Sequence, residues 1–211
     1  MPNYARMRTV LYRERAAGTY GPLAYPLALL AAELPWSAFY SLLFCAINYF
    51  LVGFRAEAGP FFTATLAVFM CAVWFHTLGA GFIAFFPVAL LAQIAGGPTI
   101  QISILFAGVN LSRSQLPEGW RWLYDADGFA HALRLFFLPQ YAGDSSSIAD
   151  LSQGGKPFKE GEKEGKQAFT ESRLGTTADS LWAELGYLAA IVGAAMVLMT
   201  LFYARCNHQR R

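Results

Sequence analysis

Charge is what this sequence has least of. Lys, Arg, Asp and Glu make up 14% of its 211 residues, and from Ala58 to Ser112 none of them occurs in 55 consecutive positions. A soluble domain needs charged surface and has no use for such a run, so a water-soluble fold is excluded. Cysteine is scarce as well. Cys45 and Cys71 fall inside apolar runs and Cys206 stands at the end of the last one, which excludes a disulfide framework. An acyl chain on Cys206 is chemically open, but an unmodified thiol is the simpler reading. The net charge of +2 is too small to point to nucleic acid as a partner. Signatures of catalysis are missing too. There is no Gly-rich loop ending in Lys-Ser or Lys-Thr, no Gly-x-Ser-x-Gly element, and no metal-ligand spacing among His76, His131 and His208. Met1 to Ala17 is Arg-rich without an apolar core, so no cleavable signal peptide is expected.

What is there is apolar and long. As one helix the Ala58–Ser112 run would measure about 80 Å, against about 30 Å for a bilayer core. It is too long for one span and, with turns, too short for three. Pro87 divides it nearly in half and disfavours helix in the residue before it. Leu34 to Phe54 and Leu185 to Ala204 are further charge-free stretches, each one span long. The sequence therefore predicts an all-α membrane protein with four transmembrane helices, at about 26–53, 61–86, 88–111 and 185–204. Gly96-Gly97-Pro98 should kink or locally unwind the third. Residues 1–25 form a basic connecting segment and 205–211 a basic tail. The large segment 112–184 divides in two. Residues 116–141, with Trp120, Trp122 and Tyr124, predict short helices at, or dipping into, the membrane interface. Residues 143–177 are polar, low-complexity and solvated.

Arg6, Arg8, Arg13 and Arg15 at one end, and Arg205, Arg210 and Arg211 at the other, place both termini in the cytoplasm. The large segment is then extracellular. Asn110-Leu111-Ser112 is a glycosylation sequon at the membrane edge, where it is expected to go unused. His76 lies in mid-span with no carboxylate in its own helix, and reads as a neutral ring bonded to a neighbouring helix rather than a functional group. Gln93, Gly97, Gln101, Leu105 and Gly108 recur at helical spacing on the third span. Two readings of that face stay open: a lining for an amphipathic solute, or a helix-packing face. Gly186, Ala190 and Ala194 on the last span are a packing pattern.

Several segments resemble a known family. Arg8-Thr9-Val10-Leu11-Tyr12-Arg13-Glu14-Arg15-Ala16-Ala17-Gly18-Thr19-Tyr20 is similar to the "RTVFYRERAAGMY" segment of pleiotropic-drug-resistance, or ABCG-type, ATP-binding-cassette transporters. Glu33-Leu34-Pro35 resembles their "ELPY", with Trp36 in place of Tyr, and Phe106-Ala107-Gly108 stands where they have "FSG". Leu116 to Tyr124 resembles "IPIWWRWYYW", and His208-Gln209-Arg210-Arg211 the "FQRR" ending. These motifs keep the family's order from Arg8 to the C-terminus. One stretch departs: Asp125-Ala126-Asp127-Gly128-Phe129 replaces the more apolar "ACPVAW".

The resemblance implies a partial permease. Its four spans correspond to the third to sixth of a six-span exporter permease, without the first two spans or the ATPase domain. It implies that Arg13, Glu14, Arg15, Tyr20 and Glu33 couple to a nucleotide-binding domain. It further implies that Gln101, Leu105, Val109 and Asn110 line a substrate pathway and gate, and that ATP and Mg bind the absent domain. No cofactor is expected on this chain, and no enzymatic activity of its own. The implied partners are that domain, the remaining permease half, membrane lipids and a small amphipathic substrate. A plasma-membrane location is expected. The main rival is a four-span membrane scaffold without transport activity, which leaves the Arg-Glu-Arg segment and the aromatic helices unexplained. A membrane-embedded enzyme lacks a nucleophile, metal cluster or acid–base pair.

Overall fold

The computed structural model describes residues 7, 10–14, 16–21, 23–54, 56–108, 116–141 and 180–205. Helices account for nearly all of them, with no strand among the described residues. Helix α1 is Ala24–Val52, α2 is Ala58–Phe85 and α3 is Ala89–Phe106. A 3-10 turn at Glu118–Trp120 leads into the short α4, Arg121–Ala126, then α5, Gly128–Tyr141, and finally α6, Leu181–Arg205. Four of these, α1, α2, α3 and α6, are long and apolar enough to cross a membrane.

The apolar sequence permits the helices and small residues decide how they pack. Helix α2 sits at the centre and touches α1, α3, α5 and α6. Its buried positions include Ala64, Ala67, Gly79, Ala80, Gly81 and Ala84. Lipid is as apolar as leucine, so helices in it gain by close backbone approach rather than by expelling water. Gly81 is an instance: a Cβ there would stand 4.0 Å from the Cβ of Met199 on α6. Outward faces are large and apolar instead, as with Trp36, Phe39, Phe50 and Leu51 on α1, which suits contact with acyl chains.

Helix ends follow local chemistry. Gly53 closes α1 at φ 79°, and its N–H bonds the Phe50 carbonyl; the left-handed cap explains glycine here. Phe86 to Val88 is the break between α2 and α3. The expected unwinding at Gly96-Gly97-Pro98 does not occur: α3 runs through it as helix. Proline removes only its own donor to the Ile94 carbonyl, and the glycines before it leave room for the ring.

After α3 the chain forms short helices over residues 116–141, and they pack into the bundle. Helices α4 and α5 form a re-entrant hairpin set into the bundle. Its turn, Asp127-Gly128, lies against Trp74, 16 residues into α2, or about 24 Å along that helix. Helix α5 packs chiefly on α2 and α6, with Ala130, Ala132, Leu135 and Leu138 all buried. At its far end Tyr49 on α1 is 1% exposed. The Gln140 amide donates to the Tyr49 oxygen at 2.9 Å, and the Tyr49 ring meets Phe61 edge-on at 5.3 Å. Trp120 and Trp122 are exposed, but Tyr124 is fully buried.

Candidate functional site

The basic segment ahead of α1 is fixed by one apolar anchor. Leu11 is buried in a cluster with Leu29 and Leu30 of α1, Ala80 and Ala84 of α2, and Met199 and Tyr203 of α6. Two and three residues on, Arg13 and Glu14 are exposed. The chain turns back at Gly18, with φ 70°, where the Thr19 N–H bonds the Glu14 carbonyl at 3.1 Å. The Tyr20 hydroxyl donates to Glu14 Oε2 at 2.9 Å. Partial burial, then the Glu14 carboxylate, push the Tyr20 phenol up, which keeps it the donor. The result is a charged platform held to the ends of three spans. Arg15 lies outside the described residues.

Glu33 is not part of that platform. It sits nine residues into α1, facing His76 of α2 with Nε2 to Oε1 at 3.7 Å. The carboxylate that the sequence shows no sign of within the His76 helix comes from the neighbouring one. On α3, Gln101 and Leu105 are exposed while Ser103 and Phe106 on the other side are buried. Gln93 and Gly97 share the exposed side. Gly108, the last member of that face, is buried, so the face is open to lipid, solute or another subunit only from Gln93 to Leu105. Val109 and Asn110, assigned with them to a gate, fall outside the described residues, as do residues 143–177.

The densest polar chemistry lies where the sequence predicts no site, between the hairpin and α6. His131 Nδ1 is 2.6 Å from Glu184 Oε2, and His131 Nε2 is 2.9 Å from the Asp125 carbonyl oxygen. Arg134 Nη1 stands 3.4 Å from both Glu184 oxygens. The Arg134 guanidinium lies over the Tyr124 ring, 4.3 Å from its centroid. Asp127 Oδ1 accepts from the Phe129 N–H at 3.2 Å and starts α5. Asp127, His131, Arg134 and Glu184 are each about one-twentieth exposed. Two sequence signals point to it: His131 and Arg134 at helical spacing, and Glu184 at the threshold of the last charge-free run. Among the described residues no group of three or more His, Cys, Asp or Glu could hold a metal ion.

Comparison with known proteins places this architecture. Residues 1–141 match the ABC-2 type transporter family. The chain is 30% identical over 204 residues, 97% of its length, to ABC transporter G family member 33 of Arabidopsis thaliana. It is 31% identical over its full length to ABC transporter G family member 49 of Oryza sativa subsp. japonica. Pleiotropic drug resistance protein 1 of Nicotiana tabacum is 30% identical over 71% of the chain. The chain spans only 14% of the first two relatives and 10% of the third. With the family match covering residues 1–141 and relatives matched along nearly all of this chain, the chain belongs to the ABC-2 type transporter family, as a membrane-spanning transport component of the G-family kind.

Proposed function

We propose that this chain is part of the permease of an ATP-driven exporter of amphipathic or apolar small molecules or lipids, working by alternating access. The observation that carries the reading is the platform of Arg13, Glu14 and Tyr20, pinned by Leu11 to α1, α2 and α6. A push on that platform is transmitted to three spans at once. Nucleotide chemistry would come from a domain outside these 211 residues, where ATP and Mg bind. The permease then supplies no bond-making step and converts a population shift driven elsewhere into alternate exposure of a site. The exposed α3 face with Gln93, Gly97, Gln101 and Leu105 is the side from which a partner half would complete a cavity. Both termini are then cytoplasmic, with the hairpin loops outside.

The test is reconstitution. The purified chain alone should hydrolyse no ATP, since it holds no phosphate-cradling loop. Together with a nucleotide-binding partner and the rest of the permease it should support vanadate-sensitive ATPase activity that its transported amphiphile stimulates. Vanadate-sensitive hydrolysis by the chain alone, or a partner ATPase indifferent to its presence, overturns the reading.

A further inference from the structure

We propose that Glu184, with Arg134 and His131, forms a charge latch that seats the hairpin against α6. The two ring nitrogens of His131 face two acceptors, the Glu184 carboxylate and the Asp125 carbonyl. Arg134 Nη1 stands 3.4 Å from His131 Nδ1 on the same helix. Glu184 meets both from a different helix. Remove that carboxylate and the buried Arg134 guanidinium loses its counter-charge. Beside the apolar packing of α5 on α6, Glu184 thus adds a charged tie between the two helices.

Ala126, beside the hairpin turn, is one of the residues lining an apolar cleft of about 330 Å³ between α2 and α6, with Trp74, Thr77, Gly81, Ala195 and Leu198. The latch is read from geometry alone and stands or falls independently of export.

Cys71 on α2 is a built-in reporter, since it is a free thiol packed against the Val73, Ala132 and Leu135 cluster under the hairpin. The experiment uses the full chain in membranes with Cys45→Ala and Cys206→Ala, and reads the rate of Cys71 modification by N-ethylmaleimide. Glu184→Gln keeps the shape and removes the charge; it should speed modification by about tenfold or more. Glu184→Gln combined with Arg134→Gln returns the cluster to its original net charge, and should fall back to within about threefold of the starting rate. An unchanged rate in the single variant overturns the latch. So does a double variant as reactive as the single, since the effect would then be lost packing. Should the single variant be degraded, recovery of inserted protein in the double supports the latch, and loss of both overturns it.

Discussion

Replacing Gly128 with valine is expected to unseat the re-entrant hairpin. A Cβ at this position would lie 2.8 Å from Cδ2 and 3.1 Å from Cε2 and Cγ of the Trp74 indole. Those are ring atoms in the middle of a rigid side chain, so either the indole or the start of α5 must move. Overpacking of this kind costs about 1–3 kcal/mol, and more when the backbone carries the shift. Even Gly128→Ala should destabilise measurably, and valine more so. The apolar cleft beside Trp74 is the direction in which the ring could yield. A second substitution therefore isolates the cause. Gly128→Val with Trp74→Leu should be more stable than the two single losses added together, because the clashing atoms are gone. The measurement is the denaturation midpoint of the detergent-solubilised protein for the wild type, both singles and the double. Strictly additive losses would show that Gly128 is chosen for something other than the indole.

Reversing Arg13 and Arg15 to glutamate is expected to lower export strongly while leaving ATP hydrolysis by the partner domain. Arg13 projects from a segment whose buried anchor is Leu11, so charge reversal leaves the spans and their packing untouched. Each lost charge-assisted contact is worth about 1.5–3 kcal/mol. Two such losses at an interface that transmits a conformational change should lower export by about tenfold or more. Arg6 and Arg8 remain to hold topology. Export and ATPase rates are to be compared at matched membrane abundance. Wild-type export in the double variant would reduce the segment to a topology anchor.

How much of this is legible in the sequence depends on where charge sits. The four spans are readable because a charge-free run longer than a bilayer is thick is rarely anything but membrane helix. The re-entrant hairpin is not. Asp127, His131 and Arg134 give residues 116–141 the look of a solvated, interfacial stretch, and only the third dimension shows that Glu184, 50 positions beyond Arg134, pairs with the last two. Tyr124 misleads in the same way: grouped in sequence with Trp120 and Trp122 as an interfacial aromatic, it is the floor under a buried guanidinium. Glu33 and His76 read separately, one as a coupling residue and one as a lone ring, because helical periodicity carries no information about which helix lies alongside. The third-span face admits two readings in sequence; Gln101 and Leu105 are exposed while Gly108 is buried.

The measurement that bears most directly on the central claim is ATP-dependent uptake of a fluorescent amphiphile into inside-out membrane vesicles. The vesicles carry this chain together with its nucleotide-binding partner and the remaining permease half. A permease role predicts accumulation that requires ATP, is blocked by vanadate, disappears when this chain is omitted, and falls strongly when it carries Arg13→Glu with Arg15→Glu. Equal accumulation in vesicles that lack the chain would contradict it.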